Sequence, residues 1–104
     1  MTAEKRFEKV VAALEREPDT GMARMFGAGG LSTRGKYFAM LYKGRLVVKL
    51  PRGRVDELVS AGEGERFDPG HGRLMKEWIS LGEDSSIDWL KLSREAHAFV
   101  GRKT

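Results

Sequence analysis

The chain has 104 residues, of which 40% are hydrophobic and 33% charged, and its formal net charge is +4. This is the composition of one folded domain and excludes a disordered polar tract; no apolar run approaches the ~18 residues of a membrane span. Cysteine is absent, which removes disulfides, thiolate catalysis and Cys-ligated zinc and points to a cytoplasmic setting.

The N-terminal stretch is charged and periodic throughout, unlike a secretory signal. Residues 3–17 read as an amphipathic helix, with Phe7, Val10, Val11 and Leu14 spaced i, i+3, i+4, i+7. Pro18 stops it, because the residue before a proline is biased away from helix. From Met22 the period changes. Residues 22–26 read as a short strand and 27–35 (GAGGLSTRG) as turn-rich. Residues 36–42 (KYFAMLY) and 45–50 (RLVVKL) are aromatic and β-branched strands. Lys43-Gly44 between them predicts a tight hairpin with Gly44 at positive φ. The first of these strands is apolar on both faces and is expected to lie centrally. In the second, Arg45, Val47 and Lys49 share a face expected in water, opposite Leu46, Val48 and Leu50.

Pro51 opens a short helix through Val55, Leu58 and Val59 that Gly62 ends. Residues 62–73 are a glycine-rich loop with an acidic start. LMKEWISL (74–81) fits either a helix stripe or a strand face carrying Met75, Ile79 and Leu81. Ser85-Ser86-Ile87-Asp88 offers a capping-box-like start to a closing helix that buries Trp89, Leu92, Ala96, Phe99 and Val100. Arg102 and Lys103 sit at the favourable end of its dipole. The whole is expected to be one α+β unit, residues 1–104.

Charge is distributed unevenly. Residues 1–19 carry a net charge of −1 and residues 56–104 a net charge of −3. Between them lie eight basic residues and no acidic one: Arg24, Arg34, Lys36, Lys43, Arg45, Lys49, Arg52 and Arg54. One reading of this band is an anion-facing surface for nucleic acid or an acidic protein, with Lys36, Arg45 and Lys49 at its centre. The favoured one is a solvated sheet face neutralised by carboxylates of the flanks, notably 56–68. Candidate anion- or partner-binding residues are Arg24, Lys36, Lys43, Arg45, Lys49, Arg52 and Arg54.

Motifs for chemistry are weak. Gly27-x-Gly29 begins a dinucleotide fingerprint, but position 32 is Ser and a strand follows where a helix is required. Gly30 to Gly35 around Ser32 is one residue too long for a nucleophile elbow. His71 in a loop beside Asp68 and His97 in the last helix make no metal site. Glu63, Glu65 and Asp68 are not placed as an acid–base pair. Trp78 and Trp89 read first as core and second as the wall of a small pocket. No catalytic residue, cofactor or metal is expected.

The run Met25-Phe26-Gly27-Ala28-Gly29-Gly30-Leu31, then Gly35-Lys36 and Phe38-Ala39, carries a likeness to a known family. With Gly44-Arg45-Leu46, Lys49-Leu50, Phe67, Met75-Lys76-Glu77-Trp78, Trp89 and Ala96, the chain resembles the TfoX N-terminal domain family over about residues 7–100. Ser32 departs from the aromatic common after the Gly-Leu pair. The resemblance implies a two-layer α+β fold with an antiparallel sheet, distantly similar to the MmcQ/YjbR-like proteins and to secretion chaperones. It implies the order helix, three strands, helix, one or two strands, helix, and favours strand over helix for 74–81. The family's namesake couples such a domain to a helical C-terminal domain in regulating natural competence; this chain is expected to carry the first unit without the second. No catalytic residues are implied. The expectation is a non-catalytic interaction or regulatory module with an unknown protein partner, no membrane association, and a homodimer formed through an exposed sheet edge. The alternatives are weak, non-specific nucleic-acid binding through residues 24–54, or a small ligand-binding protein or enzyme whose pocket the sequence does not reveal.

Overall fold

The structure, a computed structural model, describes residues 2–25, 28–70, 72 and 74–102, with the backbone alone for 23–25 and 28. Among these residues three helices pack on one six-stranded antiparallel sheet, a two-layer α+β fold as expected. Helix α1 spans Ala3–Leu14, and the Thr2 hydroxyl caps it by accepting from the Lys5 N–H at 3.2 Å. Ala3, Phe7, Val10 and Leu14 are its buried stripe. The helix ends three residues before the expected Glu17. Glu17 N–H donates to the Leu14 carbonyl at 3.0 Å in a tighter turn, as Pro18 requires of the residue before it.

Strands β1 (Thr20–Met25), β2 (Ala28–Thr33), β3 (Lys36–Tyr42) and β4 (Arg45–Lys49) follow as a meander. The turn-rich reading of 27–35 is corrected: residues 28–33 form β2, so four strands precede the second helix rather than three. Gly29 and Gly30 carry no strand signal, yet β2 is held on both sides by ladder pairing and anchored by buried Leu31 and Thr33. Two short hairpins use positive φ at both central residues. These are Arg34-Gly35 at 52° and 79°, and Lys43-Gly44 at 51° and 74°. That is the twist-matched turn expected at Lys43-Gly44.

A β-bulge interrupts the β2–β3 ladder. Leu31 pairs with Ala39 and Ser32 with Tyr37, which leaves Phe38 as the extra residue. Phe38 and Ala39 consequently both face the helices and are fully buried. Beyond the bulge the parity reverses, so Tyr37 turns to the other face and Lys36, opposite Thr33, to the helix side.

Helix α2 (Arg52–Ser60) begins after Pro51 and is followed by Gly62 at φ 75°. A two-residue strand β5 (Glu65–Arg66), inside what reads as loop, pairs with β6 (Trp78–Leu81) to complete the order β1-β2-β3-β4-β6-β5. Only the second half of 74–81 is strand; Met75 lies outside it, while Ile79 and Leu81 share the helix-facing side. Helix α3 (Trp89–Arg102) is capped by Asp88, not Ser85: Asp88 Oδ1 accepts from the Leu90 and Lys91 N–H groups at 3.0 and 3.2 Å. Ser85 caps only the preceding turn, its hydroxyl accepting from the Ile87 N–H at 3.2 Å.

The main core lies between sheet and helices, with Leu31, Phe38, Leu46, Val48, Ile79 and Leu81 against the stripes of α1, α2 and α3. A second cluster of Met40, Val47, Phe67 and Trp78, flanked by Tyr37 and Tyr42, sits on the opposite face. That face is therefore not open to water as the alternation of β4 suggests. Phe67 packs across it, tied by Phe67 N–H to the Trp78 carbonyl at 2.9 Å and Met75 N–H to the Phe67 carbonyl at 2.8 Å. Among the described residues no helix is long and apolar enough to cross a membrane.

Candidate functional site

The covered face of the sheet carries basic side chains beside exposed apolar surface. Strand β4 alternates, so Arg45, Val47 and Lys49 project to this face. The register then sets Lys49 beside Trp78, and Val47 beside Ser80. The backbone of 75–77 is clamped at both ends, by Met75 N–H to the Phe67 carbonyl and by Leu50 N–H to the Glu77 carbonyl at 2.9 Å. Between this segment, β4 and the first turn of α2 lies a cleft of about 600 Å³, lined by Lys49, Arg52, Leu74, Met75, Lys76, Glu77 and Trp78.

Its walls are of two kinds. Leu74 is 58% exposed and Met75 38%, whereas Trp78 at 7% is part of the packed second cluster. Around them stand three cations. Lys49 Nζ lies 3.9 Å from Glu77 Oε1 and 5.9 Å from the centre of the Trp78 ring. Arg52 and Lys76 are exposed and form no ion pair among the described residues. A second depression of about 380 Å³ adjoins the first at Leu74 and contains Lys43, Arg45 and Arg66 with Glu65 and Asp68. There Arg45 Nε donates to the Ser80 hydroxyl at 2.7 Å and its Nη2 lies 3.7 Å from Glu65. Arg66 pairs with Asp56, and Lys43 Nζ sits 5.3 Å from the Tyr42 ring centre.

The basic band of the sequence is thus divided. Lys49 and Arg52 meet in the first cleft, and Lys43 and Arg45 in its neighbour. Lys36 stands exposed on the helix side of the sheet, turned there by the bulge, so Lys36, Arg45 and Lys49 do not form one centre. Arg54 is elsewhere again, bridging α2 to α3 through Glu95 at 3.0 Å and pairing with Glu57 at 2.5 Å. Those hydrogen bonds, to Glu95 first and Glu57 second, push its pKa above the ordinary arginine value, so it stays charged at any working pH. Arg34 pairs with Asp19 at 3.6 Å. The side chain of Arg24 lies outside the described residues. Among the described residues, Glu57 and Glu65 of 56–68 pair with Arg54 and Arg45, and Asp19, Glu77 and Glu95 pair with Arg34, Lys49 and Arg54.

The other sequence candidates are scattered. His97 Nε2 is 3.1 Å from the Thr20 hydroxyl and the ring meets Phe38 edge-on at 5.1 Å. Ser32 is half-buried in the β1–β2 pairing. Glu63 approaches the Ser86 hydroxyl, Glu65 meets Arg45, and Asp68 accepts from the Gly70 N–H at 2.8 Å. His71 lies outside the described residues, and among those described no three His, Cys, Asp or Glu groups cluster as metal ligands do. Trp89 is buried in the main core. Sequence reasoning missed Leu74, Met75, Lys76 and Arg66 as surface features. The available signal was LMKEW itself, whose apolar Leu74 and Met75 fit a buried helix stripe or strand face equally and so read as core. Compared with protein-family models and with curated proteins, the chain matches none.

Proposed function

We propose that the protein is a non-catalytic interaction module, with the regulatory, cytoplasmic role that the likeness to the TfoX N-terminal domain family implies. The observation that supports this reading is the cleft beside Trp78, where exposed Leu74 and Met75 adjoin Arg52 and Lys76. Apolar side chains exposed next to uncommitted cations suit a protein partner better than reaction chemistry. A photoreactive residue at Gly53 tests it, because Gly53 is exposed, follows the cleft residue Arg52 in the first turn of α2, and an added Cβ there meets nothing within 4 Å. Discrete partner adducts from Gly53 but not from exposed Glu8 on α1 are the expected result. Equal labelling from both positions, or turnover in an activity screen that Arg52→Glu removes, contradicts the reading.

Two further elements belong to it. Weak, non-specific nucleic-acid binding is the second reading, favoured by Lys43, Arg45, Lys49, Arg52, Arg66 and Lys76 lying in two adjoining depressions. Affinity for a DNA duplex that does not fall with salt counts against it. A homodimer along β1, an edge strand with Met22 59% exposed, is the other. Light scattering that returns the 11.6 kDa monomer at about tens of micromolar removes it.

A further inference from the structure

Three large hydrophobic side chains are exposed among the described residues: Met22, Leu74 and Met75. Met22 is separate, on β1. Leu74 and Met75 are consecutive, and Trp78 extends their apolar surface into the cleft. Among the described residues the cations of the same cleft outnumber its carboxylates, Lys49, Arg52 and Lys76 against Glu77. Among the described residues Lys49 is the one of these cations with an ion pair, at the limit of contact, 3.9 Å from Glu77. An occupant must therefore bring anionic groups for the rim and an apolar group for the floor.

The aromatic rings decide between two polyanions. Bases of single-stranded nucleic acid stack on open ring faces. Trp78 is 7% exposed and buried against Met40 and Val47. The Tyr42 ring is met edge-on by Phe67 at 5.4 Å and approached by Lys43 at 5.3 Å. The surface offers aliphatic and thioether contact instead, which an aliphatic or aromatic side chain of a peptide uses and a phosphodiester backbone does not. A cleft of about 600 Å³ is roomy enough for such a side chain with its flanking backbone.

We infer that the cleft between β4, the start of α2 and residues 74–78 binds an acidic segment of a partner protein. One bulky apolar side chain of that segment rests on Leu74 and Met75, and its carboxylates face Lys49, Arg52 and Lys76. This rests on the reading of the chain as an interaction module and specifies the chemistry of the partner.

The test is a titration of protein carrying ¹³C-labelled methionine methyl groups, with Met22 as the internal control. The probe is a short acetylated peptide of Asp and Glu around a central Leu-Phe pair. Beside it run the same peptide with Ser-Gly at the centre and an oligothymidylate of equal charge. The Met75 methyl resonance should shift and saturate while Met22 stays in place. The Ser-Gly peptide should bind roughly tenfold more weakly. Arg52→Glu with Lys76→Glu should weaken the acidic peptide roughly tenfold or more without lowering the melting temperature, since both side chains are exposed. A stationary Met75, equal binding of both peptides, or displacement of the peptide by the oligothymidylate each overturn the inference. If Gly53 still yields specific partner adducts while the peptide fails, the acidic chemistry is wrong and the interaction reading survives. If both fail, both fall.

Discussion

The guanidinium of Arg6 lies over the ring of Trp89, 4.3 Å from its centre. The same group donates to three carbonyls of the preceding loop, those of Glu83 at 2.6 Å, Ser85 at 3.2 Å and Ile87 at 3.0 Å. One side chain of α1 thus holds both the first residue of α3 and the segment that leads into it. Truncation leaves part-buried carbonyls unpartnered and uncovers the indole. Arg6→Ala should cost roughly 1–3 kcal/mol in urea denaturation. Arg6→Lys should restore only part of it, because an ammonium cannot span three acceptors as a planar fork does. A lysine variant as stable as the original contradicts this account.

Ser93 is fully buried on α3 and its hydroxyl has no hydrogen-bond partner among the described residues. An unpaired buried hydroxyl is a cost that alanine does not carry. Ser93→Ala should be neutral or stabilising by up to about 1 kcal/mol. A fall in the denaturation midpoint equivalent to more than about 1 kcal/mol would show that the hydroxyl is engaged.

Gly64 runs so close to β6 that an added Cβ would stand 2.8 Å from the Ser80 carbonyl oxygen and 3.1 Å from Ile79. Backbone on one side and a fully buried side chain on the other leave little room to yield. Gly64→Ala should therefore destabilise by about 1–3 kcal/mol and loosen the β5–β6 pairing. Unchanged amide exchange in this variant at Phe67, whose N–H donates to the Trp78 carbonyl beside this pairing, would contradict the packing described.

At the Lys43-Gly44 turn, both residues sit at positive φ, 51° and 74°. Gly44→Val should cost about 1–3 kcal/mol through backbone strain alone, because the space around the position is open. Lys43→Asn should be neutral or slightly stabilising, since asparagine tolerates this conformation better. A denaturant midpoint unchanged by Gly44→Val contradicts the hairpin.

These elements also show what the sequence made legible. Helices α1 and α3 were readable because Phe7, Val10 and Leu14, and Leu92, Ala96 and Val100, keep one helical stripe that the core occupies. The hairpin at Gly44 was readable because a two-residue connection leaves few backbone choices. Strand β2 was not, since Gly29 and Gly30 carry no preference and its pairing is set by β1 and β3. The face of Lys36 was not either. Counting in twos from Tyr42 puts Lys36 beside Arg45 and Lys49, and only the bulge at Phe38 reverses it. The cleft was illegible for a related reason: it exists because residues distant along the chain fold back over β4, which no local pattern encodes.

The difference between Lys36 and Arg52 is the sharpest consequence of this arrangement. Both are exposed cations of the same basic band, but one stands on the helix side of the sheet and the other on the rim of the Trp78 cleft. The most direct measurement is the yield of partner adducts from a photoreactive residue at Gly53 in the Lys36→Glu and Arg52→Glu backgrounds. The account predicts that Lys36→Glu leaves the yield unchanged and that Arg52→Glu lowers it roughly tenfold. Equal loss in both variants, or loss with Lys36→Glu alone, would contradict the claim that this cleft is where the partner docks.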